Sequence, residues 1–130
     1  SSSSAASDVY KRQDHIDEDL TEAKAAIQDK DFKRLGEVIE ENGLRMHATN
    51  LGSTPPFTYL VQESYDVMAL VHECREAGYP CYFTMDAGPN VKILVEKKNK
   101  QQIIDKLLTQ FDNNQIIDSD IIATGIEIIE

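Results

Sequence analysis

The sequence lacks any apolar run near the roughly 18 residues that a membrane-spanning helix needs, so no membrane segment is expected. It is also poor in positive charge. Thirteen Lys and Arg stand against 23 Asp and Glu, a net charge of −10, and the cations are scattered among the acids instead of forming a stripe. Binding a phosphate backbone by counterion release is thereby excluded, and no nucleic acid partner is expected. Cysteine is limited to Cys74 and Cys81, without the paired spacing of a zinc site. His15, His47 and His72 share no ligand spacing either, so the expected number of metal ligands is none. Two buried thiols in a reducing cytoplasm is the reading these residues support. There is no internal repeat, and 130 residues suffice for one domain that buries roughly two thirds of its unfolded surface.

What is present begins with a low-complexity arm. Ser1 to Ser7 hold only Ser and Ala, too little apolar surface to order themselves. The next six residues, Asp8-Val9-Tyr10-Lys11-Arg12-Gln13, resemble the translated end of a sequencing-library adapter. Residues 1–13 are therefore expected to be a disordered, artefactual arm, with a natural flexible arm as the alternative, and residues 14–130 to be the folded domain.

From Asp14 onward Ile16, Leu20, Ala23 and Ile27 share a helical face. Asp31 is a suitable N-cap for a second helix carrying Phe32, Leu35, Val38, Ile39, Leu44 and Met46. Gly36 and Gly43 lie seven apart on it, each costing about 1 kcal/mol against Ala. Close approach of another backbone would compensate, and a break at Gly43 is the alternative. Asn50 to Pro56 is a connector. A third helix takes Leu60, Val67, Met68, Val71 and Cys74, and Gly78 is placed to end it.

The period then changes. Cys81 to Thr84 and Val91 to Val95 are rich in aromatic and β-branched residues and flank the turn-forming run Asp86-Ala87-Gly88-Pro89-Asn90. Asn99 is expected to cap a fourth helix with Ile103, Ile104, Leu107, Leu108 and Phe111 inward, before two last strands at Gln115 to Ile117 and Gly125 to Ile129. Helices segregated against a mostly antiparallel sheet make the class α+β.

Two segments carry a family resemblance. Asn42-Gly43-Leu44-Arg45-Met46-His47-Ala48-Thr49, followed by Pro55-Pro56-Phe57-Thr58-Tyr59-Leu60, is the first, and Tyr82-Phe83-Thr84-Met85-Asp86-Ala87-Gly88-Pro89-Asn90-Val91 the second. In order and separation they resemble the C-terminal domain of the diphosphomevalonate decarboxylases, members of the GHMP kinase superfamily. Other kinases of that superfamily carry a glycine-rich motif at the strand-to-strand loop where this chain has Asp86-Ala87-Gly88-Pro89. The resemblance implies a GHMP-kinase C-terminal, ferredoxin-like domain of a two-domain enzyme, its nucleotide-binding N-terminal domain missing here. That enzyme converts mevalonate 5-diphosphate and ATP, with Mg2+, into isopentenyl diphosphate. A non-enzymatic ferredoxin-like binding or dimerisation module, or another GHMP kinase, is the alternative, and the oligomeric state is open, a homodimer included.

On composition alone Asp86 is a turn residue. The resemblance makes it the catalytic aspartate, with Ala87 and Gly88 beside the substrate. His47 reads as a hydrogen-bonded helix histidine, Arg45 as the ion-pair partner of Glu41 in preference to a phosphate ligand, and Met46 and Met68 as core.

Overall fold

The computed structural model describes residues 16–85 and 87–116. Helix α1 covers residues 16–28, α2 Phe32–Leu51, α3 Gln62–Glu76 and α4 Lys100–Leu108. Strands β1, Cys81–Met85, and β2, Val91–Val95, lie between α3 and α4. They pair antiparallel, Cys81 opposite Val95 and Met85 opposite Val91. The expected arm, residues 1–13, lies outside the described residues, as do Ile117 and the expected last strand at residues 125–129.

Local chemistry sets most boundaries. Asp31 caps α2, its carboxylate accepting the Arg34 N–H at 3.1 Å. At the end of α3 the Tyr79 N–H reaches the Cys74 carbonyl and the Gly78 N–H the Arg75 carbonyl, both at 3.0 Å. Gly78 takes φ +96°, where a side chain would be strained, so this glycine ends the helix as expected. Leu60 precedes α3 instead of belonging to it, yet it is buried in the core.

Two other ends differ from expectation. Asn99 makes no side-chain cap; a 3-10 turn at Lys97–Asn99 leads into α4, and the carbonyls of that turn and of Glu96 take the first N–H groups. Gln115 closes a second 3-10 turn, Asn113–Gln115, rather than opening a strand, its side chain accepting the Asp112 N–H at 2.7 Å.

The hairpin is covered on both faces. Cys81, Phe83, Met85 and Val95 join Met68, Leu70, Val71 and Cys74 of α3 and Ile103 and Leu107 of α4 in the main core. On the other face Tyr82 packs edge-on to Phe32 of α2, ring centroids 5.6 Å apart. Double coverage explains why β1 reads as nearly continuous apolar sequence instead of alternating. Within α4, Leu108 is exposed because only one side of that short helix meets the core.

The glycines of α2 give this layer its closeness. A Cβ on Gly36 would overlap the Tyr82 ring, and one on Gly43 would lie 3.2 Å from Thr84 Oγ1 and 3.5 Å from the Met85 nitrogen. The helix runs unbroken through Gly43. Close approach is what offsets the helical cost of both residues.

Helix α1 sits on α2 through Ala26, Ala23, Leu35 and Ile39. Its inward stripe is shifted from the expected one, leaving Ile16, Leu20 and Ile27 exposed. Ion pairs match that rotation. Asp19 accepts two bonds from Arg45, at 2.8 and 3.0 Å, and one from Asn42 at 3.0 Å, while Glu22 pairs with Arg34. Both acids can reach α2 only if their side of α1 faces it.

Gly36→Ala should destabilise the protein by about 1–3 kcal/mol through overpacking against Tyr82, although the same change at an exposed helix position stabilises. Urea unfolding checks the sign, and Gly43→Ala should cost less because only a 3.2 Å contact is tightened.

Candidate active site

The five residues 86–90 connect β1 to β2, so the paired ends Met85 and Val91 fix both entrances of the loop. Met85 is buried. Asp86 itself lies outside the described residues. Ala87 is exposed and Gly88 half-buried, and Gly88 adopts φ +133°, a conformation that side chains rarely take. Pro89 is held from outside the loop, its carbonyl accepting a 2.6 Å hydrogen bond from Ser64 Oγ at the start of α3. Ser64 also accepts the Val61 N–H at 3.1 Å.

Beside the loop is a small, open depression lined by Met46, His47, Asn50, Tyr59, Leu60 and Met85. The connector makes its far wall by folding back on α2, the Phe57 N–H donating to the Asn50 carbonyl at 3.1 Å. His47 meets Thr58 Oγ1 at 3.5 Å through Nδ1 and the Tyr65 hydroxyl at 3.4 Å through Nε2, agreeing with a hydrogen-bonded histidine. Arg45 is an ion-pair residue as expected, but Asp19 is its principal partner and Glu41 stands farther away at 3.5 Å. Met46 is half-buried against the core and Met68 fully within it.

Behind the hairpin, Glu40 of α2 and Arg75 of α3 form a doubly bonded pair at 2.8 and 2.9 Å. Their side chains are 13% and 21% exposed, dry enough for the pairing to matter. Both also bind the edge of β1 that faces away from β2, Glu40 accepting the Phe83 N–H at 3.1 Å and Arg75 donating to the Cys81 carbonyl at 3.2 Å. Arg75 further lies 4.9 Å from the Tyr82 ring centre, within cation–π range.

The thiols are free and buried, as expected. Burial pushes Cys81 up to about 12, and it raises Cys74 and the Tyr82 hydroxyl from their ordinary values as well. A thiol so held is protonated at neutral pH and makes a poor nucleophile.

A family model described as the mevalonate 5-diphosphate decarboxylase C-terminal domain matches residues 1–127. This chain belongs to that family. A solved mevalonate diphosphate decarboxylase from Staphylococcus aureus is 94% identical over 84% of the chain, with a TM-score of 0.80. The enzyme from Enterococcus faecalis, described for a mevalonate diphosphate mediated ATP binding mechanism, is 52% identical over 84% of the chain, again with a TM-score of 0.80. Among curated relatives, the diphosphomevalonate decarboxylase of Debaryomyces hansenii is 34% identical over 68% of the chain. The chain spans about a third of the length of the solved relatives, 33% and 34%, and about a quarter, 23%, of that curated one.

In this decarboxylase domain, sequence reasoning missed three anchors. Ser64 had left a signal, being a polar residue in helical register with Val67, Met68 and Val71 on a buried face, where a hydroxyl requires a partner. Glu40 left a similar one, between Gly36 and Gly43 on the inward stripe of α2. Asp19 left none, since its helix carries several interchangeable acids.

Glu40→Gln keeps an acceptor for Phe83 but leaves the half-buried Arg75 without its counter-charge, and should cost about 1–3 kcal/mol in denaturant unfolding. Glu40→Ala removes both and should cost more.

For Cys81 the sign follows from its raised value. Above the ordinary 9.0 the unfolded chain loses the thiol proton while the native chain keeps it up to about 12. The native state then binds more protons, so stability is full below pH 9 and falls as pH rises through that window. Cys81→Ala should flatten part of this alkaline decline in melting curves.

Proposed function

We propose that this domain serves the ATP-dependent decarboxylation of mevalonate 5-diphosphate to isopentenyl diphosphate, releasing ADP, phosphate and carbon dioxide. The observation that carries the reading is family membership together with 94% identity to the Staphylococcus aureus enzyme. A further solved relative, 52% identical, is a complex with MVAPP, AMPPCP and magnesium, which supports ATP and Mg2+ as co-substrate and ion. The free buried thiols agree with a cytoplasmic setting.

ATP phosphorylates the tertiary 3-hydroxyl of the substrate. Departure of that phosphate draws the electron pair of the breaking carbon–carboxylate bond, which releases carbon dioxide and forms the alkene. Asp86 orients the hydroxyl and accepts its proton as the phosphoryl group transfers. Gly88 lets the loop turn without a side chain, so a ligand can approach its backbone. Among the described residues no group of three or more His, Cys, Asp or Glu is arranged to hold a metal ion. Bound with ATP, the ion would neutralise phosphate charge.

In the full-length enzyme Asp86→Asn keeps the shape of the side chain but cannot accept the proton. Its kcat for carbon dioxide release should fall by roughly 10²–10⁴, with KM for mevalonate 5-diphosphate changing far less. Retention of most of the wild-type kcat would return Asp86 to the status of a turn residue.

A further inference from the structure

Among the described residues Ser64 is the single buried polar side chain of the core, 2% exposed. A serine in an apolar surrounding is costly unless its hydroxyl is fully bonded, and this one is. It accepts the Val61 N–H, which is local to the turn that begins α3. Its own proton goes elsewhere, across 25 residues of sequence, to the Pro89 carbonyl at 2.6 Å. The start of the helix has no need of that second bond. The loop has, since Ala87, Pro89 and Asn90 are exposed and little packing holds them.

We propose that Ser64 is a positioning residue for Asp86. The loop is anchored before Asp86 by buried Met85 in β1 and after it by Pro89 on Ser64, so the catalytic position lies between two fixed points four residues apart. This rests on the reading of Asp86 as the base. A base must stand within hydrogen-bond reach of the hydroxyl it deprotonates, and a misplacement of about 1 Å can cost on the order of 10²-fold in rate. Losing the anchor at Pro89 should therefore act on the chemical step more than on binding.

The test uses the full-length enzyme in a double-mutant cycle. Ser64→Ala should lower kcat by about 10-fold while KM for mevalonate 5-diphosphate stays within about threefold, and it should have no further effect in an Asp86→Asn background. Ser64→Cys, which keeps a weak donor, should fall between wild type and alanine, and it carries the same measurement if the alanine variant fails to fold. Wild-type kcat in whichever variant folds, or an equal loss in the Asp86→Asn background, overturns the proposal while leaving the role of Asp86 standing. An Asp86→Asn enzyme with unimpaired kcat overturns both.

Discussion

The pair between Glu40 and Arg75 is the constraint on which the arrangement of this domain depends. It joins α2 to α3 across the edge of β1, and each partner gives one bond to the strand itself. The Phe83 N–H and the Cys81 carbonyl point away from β2, and groups of this kind left dry and unpaired are penalised heavily. A carboxylate and a guanidinium placed there satisfy the edge and neutralise each other. Because both are largely removed from water, neither can be lost without leaving the other unmatched.

That constraint works with the two glycines on the same stripe of α2. Gly36 admits the Tyr82 ring and Gly43 admits the backbone at Thr84 and Met85, while Glu40 between them reaches the strand edge. The helix is thereby held against β1 at three successive turns. Met85 is fixed from the α2 side by Gly43 and from the other side by the main core, so the chain enters the 86–90 loop from a rigid position.

Such rigidity suits the chemistry proposed for the family. Phosphoryl transfer asks little covalent work of the protein, and most of the acceleration comes from holding charges and reacting groups in place. A lone carboxylate on a short loop gains accuracy from its supports. Here those supports are the paired strand ends, the positive-φ glycine and the serine that holds Pro89. The reactive-looking groups nearby do other work: His47 meets the connector at Thr58 and α3 at Tyr65, and the two thiols fill the core.

By itself the sequence determined the helices, their caps at Asp31 and Gly78, the strand–turn–strand order and the family, because each is written within windows of a few residues. Periodicity, turn chemistry and motif spacing are local properties, and they survive whatever packing follows. Only the tertiary structure decided which side of α1 faces inward, that Arg45 takes Asp19 in preference to Glu41, that Glu40 meets Arg75 and that Ser64 reaches Pro89. These partners lie 25 to 35 residues apart, and the chain offers many other acids, bases and hydroxyls of the same kind. Charge and hydrogen-bonding capacity say that a partner is needed; burial and backbone geometry select which one.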